Sequence, residues 1–201
     1  MNDMNRSDSE KEIAIYEGVC KLIRQDVNLS QVTASEIAQA AGIGKGTLYN
    51  YFSTKDEIIA RTAFYLIDQH LAQIQAGMER QTGFEDKCRA ALEFIRIEAG
   101  RKDSQIHLIL MGLDGGQAAP FLRQGMEHIH ATIREVERIV LELAETGVEE
   151  GVITRQEPGY TAQVFLSALM GYCRCLCSAG EGTDGAIAAQ RAYRMLVKAL
   201  N

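Results

Sequence analysis

From Ala41 to Glu57 the chain reads AGIGKGTLYNYFSTKDE, with Gly42, Gly44 and Gly46 around Lys45 and with Tyr49, Tyr51 and Phe52 close behind. Glycines beside a lysine can cradle a nucleotide phosphate. Lysine, threonine, tyrosine and asparagine together can instead meet the phosphates and base edges of a nucleic acid. Spacing decides against the nucleotide. A Walker-type loop needs glycine, four residues, then Gly-Lys-Ser/Thr. Here Gly44-Lys45 is followed by Gly46, and Gln39 stands where the first glycine belongs. The dinucleotide fingerprint matches at Gly42 and Gly44 but has Thr47 in its third place. Both motifs also follow a buried strand, whereas ASEIAQAA precedes this one and has the apolar spacing of a two-turn helix.

Other reactive side chains form weaker patterns. Cys173 and Cys177 are four residues apart, on one face of a helix, with Cys175 pointing away. Two thiolates on one face suit a metal or a redox sensor, and the plainer reading is small buried residues at a subunit contact. His107, His128 and His130 offer nitrogen ligands without the spacing of a helical zinc motif, so no metal and no cofactor is assigned. No nucleophile elbow or telling carboxylate pair is present, which argues against an enzyme.

The elements that position these residues are predicted to be helices throughout. The chain has 201 residues, 46% of them hydrophobic, with two prolines and a net charge of −6. Few helix breakers and abundant Ala, Leu, Ile, Glu and Gln favour an all-α fold. Residues 1–12 are polar, the cysteine count of five is odd, and a reducing cytoplasm follows as the expectation. The apolar stretch 160–180 carries Gln163 and Arg174 and reads as a buried helix at a protein contact, not a membrane span.

Capping boxes mark three helix starts: Ser7 with Glu10 or Ser9 with Glu12, Thr33 with Glu36, and Thr54 with Glu57. The first helix is expected to end near Gln25. The second covers ASEIAQAA and stops at Gly42, and the third runs from Gly44 or Lys45 to about Phe52. A long helix is expected from Lys55 to about Arg80, then segments near 84–101, 104–112, 118–150, 157–179 and 184–200, with Gly147 and Gly151 ending or bending the long one. Two units result: three short helices over 8–54, with a helix-turn-helix at about 33–52, and a larger helical unit over 55–201. Ile37, Ala41, Ile43 and Leu48 would join the two helices of the helix-turn-helix. That leaves Lys45, Gly46, Thr47, Tyr49 and Asn50 on the outward side.

The segment TASEIAQAAGIGKGTLYNYFSTKDEII resembles the DNA-binding signature of the tetracycline-repressor (TetR) family of transcriptional regulators. The resemblance covers about residues 9–65 and is close from Thr33 to Lys55. It implies that Thr33 caps the second helix and can donate to a phosphate, and that Ser35 lies where a base is sometimes read. It places Lys45, Gly46, Thr47 and Asn50 against the major groove, and Tyr49 at a phosphate-binding position. It carries over Tyr51 as a further backbone contact and Lys55 as a phosphate ligand at a helix N-terminus, with Phe52 in the core and Gly46 allowing close approach of the backbone.

The resemblance also implies a homodimer through the last two long helices, an operator of two inverted half-sites, and a small-molecule effector bound in the larger domain. Val164, Phe165, Ala168, Leu169 and Tyr172, with Ile187, Tyr193, Leu196, Val197 and Leu200, supply apolar faces for the dimer. A mostly apolar effector pocket is expected among Phe94, His107, Met111, Phe121, Met126 and Phe165. Charge gives little help to DNA binding. Between Cys20 and Lys55 only Lys21, Arg24, Lys45 and Lys55 oppose Asp26 and Glu36, so few phosphate ion pairs and a shallow salt dependence are expected.

Overall fold

A computed structural model describes residues 9–25, 27, 29, 31–100, 126–178 and 184–201. Among them the regular elements are all helices: α1 (Glu10–Arg24), α2 (Ala34–Ala40), α3 (Lys45–Leu48), α4 (Lys55–Glu79), α5 (Phe84–Gly100), α6 (Met126–Glu149), α7 (Pro158–Ser178) and α8 (Gly185–Ala199). The segment expected at 104–112, the start of the one expected at 118–150, and His107, Met111 and Phe121 lie outside the described residues, as do the side chains of Met126 and Cys177.

The described residues divide into two compact units. One ends at Asp68 and takes back the start of α6 as far as Ala131; the other begins at Gln69 and resumes at Thr132. The division falls inside α4, not at the Thr54–Lys55 break. The reason is packing: Ile58 belongs to the first core and Tyr65 stacks on Tyr16 with ring centroids 5.1 Å apart.

The first core gathers Ile15, Tyr16 and Val19 of α1, Ile37 and Ala38 of α2, Leu48 of α3, and Phe52 and Ile58. The second gathers Phe84 and Cys88 of α5, Ile139 and Leu143 of α6, Phe165 and Ala168 of α7, and Leu196 and Leu200 of α8. Burial holds the Cys88 thiol far above its ordinary range, to about 12, so it packs as an apolar group. Helix α6 continues through Gly147 to Glu149 and is followed by a left-handed Gly151 (φ +69°), whose N–H bonds Val148 O while Val152 N–H bonds Gly147 O. Gly147 is needed for packing: a Cβ there would lie 2.8 Å from the Phe84 ring.

The structure corrects the face assigned to the last two helices. Phe165, Ala168, Tyr172, Leu196 and Leu200 are buried within their own chain, and Tyr172 donates its hydroxyl hydrogen to Leu92 O at 3.1 Å. Of the assigned residues Ile187 stays exposed, together with Met170 and Met195, which the sequence reading had not named. Cys173 is buried and Cys175 exposed, as their helical phase requires.

Candidate nucleic-acid interface

Local chemistry builds the turn between α2 and α3. Thr33 accepts the Glu36 N–H, and the Glu36 carboxylate accepts the Thr33 N–H at 2.7 Å, closing the capping box. The Thr33 hydroxyl also donates to that carboxylate at 2.7 Å. These bonds hold the Glu36 carboxyl below its ordinary range, with the hydroxyl's bond contributing most. At its other end α2 stops in a Schellman turn. Gly42 adopts φ +70° and bonds Gln39 O, and Ile43 N–H bonds Ala38 O at 2.9 Å. Only glycine takes that φ without strain.

The turn is braced from behind by a residue to which sequence reasoning assigned no role. A Cβ on Gly18 of α1 would meet Ala41 N at 2.7 Å, so α1 lies directly against the end of α2. Its signal is faint: a glycine on the apolar side of α1, between Tyr16 and Val19.

Helix α3 is shorter than expected. It ends at Leu48, and the chain continues in tight turns with Asn50 N–H to Thr47 O and Tyr51 N–H to Leu48 O. Fully buried Leu48 and Phe52 pull both ends of this segment into the core. Each such burial contributes about 1.5–3 kcal/mol. The intervening side chains are left outside: Tyr49 is 48% exposed and Tyr51 37%. Ser35, Lys45, Gly46 and Asn50 are exposed too, and Thr47 is half-buried. The segment from Lys45 to Tyr51 thus presents an ammonium, hydroxyls and an amide on a short rigid base, a donor set suited to phosphates and base edges.

Two predicted contacts look different in place. The Thr33 hydroxyl is occupied by Glu36. Lys55 is half-buried, and its ammonium lies 3.5 Å from Leu29 O. Among the residues expected around an effector, Phe165 meets Phe84 edge-on in the second core, with centroids 6.3 Å apart. Phe94 is half-buried beside His70 at 5.8 Å, and the His70 ring lies 3.7 Å from the Glu98 carboxylate.

Fold and site together define an all-helical protein with an N-terminal helix-turn-helix. Residues 25–62 match the family described as bacterial regulatory proteins, tetR family. Over this helix-turn-helix the chain is thus similar to the TetR family of transcriptional regulators. It is 25% identical over 107 residues to the nucleoid occlusion factor SlmA of Haemophilus ducreyi, a match over 53% of this chain and 52% of that one, so the chain spans about half the length of this relative. In fold it is similar to a TetR transcription regulator from Haloarcula marismortui, with a TM-score of 0.75 at 18% identity over 96% of this chain and 100% of the other. It is also similar to the regulator FadR of Bacillus subtilis solved in complex with stearoyl-CoA, with a TM-score of 0.65 at 15% identity over 94% and 99%.

Proposed function

We propose that the protein is a ligand-responsive repressor that binds a palindromic DNA operator as a homodimer in the cytoplasm and is released by a small apolar molecule. The observation that carries this is the exposed polar face from Lys45 to Tyr51, mounted on buried Leu48 and Phe52. Lys45, Gly46, Thr47 and Asn50 meet the major groove and Tyr49 a phosphate, with Ser35 and Tyr51 at the edges of the face. Thr33 and Lys55 contribute chiefly by shaping the unit.

A groove of about 520 Å³ between α7 and α8 supports the dimer. It is lined by Ala168, Gly171, Cys175, Ile187, Ala192 and Met195 among others. A Cβ on Gly171 would meet nothing within 4 Å, so the interior of α7 carries a glycine that its own subunit does not need. A partner helix seated on this face would use that space and cover Ile187 and Met195, which are 47% and 51% exposed. The second unit would house the effector near Phe94, and the stearoyl-CoA bound by the similar FadR structure supports an apolar ligand. Release then follows from population shift: the effector favours an arrangement in which the two reading faces no longer fit one operator.

A mobility-shift experiment with DNA flanking the protein's own gene tests the proposal. The wild-type protein is expected to shift a fragment, and Thr47→Ala and Tyr49→Ala to lose the shift while remaining dimeric. Retained shifts in both variants would refute it.

A further inference from the structure

We propose that Gly46 is a notch in the reading face that receives the C5-methyl group of a thymine. This rests on the DNA-binding reading above and adds to it a particular ligand group. Within α1–α3 and their turns, the other glycines are explained inside the molecule. Gly18 makes room for Ala41, Gly42 takes a positive φ, and Gly44 is the N-cap of α3. Gly46 has no such reason. It is helical and exposed, and a Cβ built on it meets nothing within 4 Å. The fold would accept alanine there and gain from it, because glycine weakens a helix.

What Gly46 lacks matters on the outside. Lys45 and Thr47 flank it, and Tyr49 and Asn50 stand one turn further on, all with side chains. The missing side chain leaves a depression floored by a Cα methylene, which offers no side-chain hydrogen bond. Of the groups displayed on the floor of the major groove, the thymine methyl is the one that both protrudes and is apolar. A methyl seated on the Cα would exclude water on both sides, and a Cβ would occupy the same space.

A bump-and-hole experiment tests this. The probe is a duplex bound by the wild-type protein, taken from DNA flanking its gene or selected from random duplexes; failure to obtain any such duplex would count against the DNA-binding reading itself. Each thymine is then replaced in turn by deoxyuridine, which removes only the methyl. Wild-type affinity is expected to fall about fourfold per subunit at one thymine position in each half-site, the effect of one buried methyl. Gly46→Ala should melt at or above the wild-type temperature and bind the thymine duplex at least about tenfold more weakly, losing space as well as contact. Deoxyuridine at that same position should restore much of its binding. Undiminished binding by Gly46→Ala, a loss that deoxyuridine does not relieve, or wild-type binding indifferent to every methyl would overturn the proposal.

Discussion

Thr33 uses one hydroxyl twice, accepting the Glu36 N–H and donating to the Glu36 carboxylate. The donated bond, together with the Thr33 N–H bond to the same carboxylate, favours the ionised carboxyl, whose pKa is lowered in the folded protein. A lowered carboxyl contributes stability that is present above the ordinary carboxylate range and is lost as pH falls through the folded value. Thr33→Ala is therefore expected to cost about 1 kcal/mol in urea unfolding at neutral pH, and less in acid, where Glu36 is protonated. An equal loss at both pH values would show that the pair is not coupled in this way. This box was legible in the sequence because Thr-x-x-Glu is local chemistry. Lys55 was not legible in the same way. Its ammonium points at Leu29 O, 26 residues away, and no local pattern announces a contact between segments so distant. Gly18 was overlooked for the same reason, since its neighbour Ala41 lies on another helix.

Helices were read correctly as elements in α1, α2, α7 and α8, and in the first two a capping box also fixed the start. Their faces were harder. A residue packed on its own chain and one packed on a partner are equally apolar, so Phe165, Tyr172 and Leu196 were assigned outward although they are buried inside. Glycines separate the two cases better than leucines do. A Cβ on Gly147 of α6 would lie 2.8 Å from Phe84 and 3.0 Å from Ile153, whereas one on Gly171 of α7 would face open space. Gly147→Ala is expected to destabilise the subunit by about 1–3 kcal/mol through overpacking. Gly171→Ala should leave it unchanged or up to about 1 kcal/mol more stable, yet raise the dimer dissociation constant. Urea unfolding and sedimentation equilibrium measure these effects. A Gly171→Ala dimer as tight as wild type would remove the glycine from the interface, and an undisturbed Gly147→Ala would deny its contact with Phe84.

Across the whole chain the net charge is −6, so a general attraction to DNA cannot carry the function. In the proposed repressor, binding therefore rests on a fitted face used once by each subunit of the proposed dimer, with modest help from Lys45 and its few basic neighbours. The residues expected around an effector belong to the part the sequence resolved least, because core and pocket residues have the same composition. The most direct test of the central claim is a fluorescence-anisotropy titration of operator and scrambled duplexes over a range of salt. A fitted α3 face predicts at least about 10³-fold preference for the operator, with a salt slope shallower than about −10, and loss of that preference in a Thr47→Ala/Tyr49→Ala double variant. Equal affinity for both duplexes, or an undiminished preference in the double variant, would contradict it.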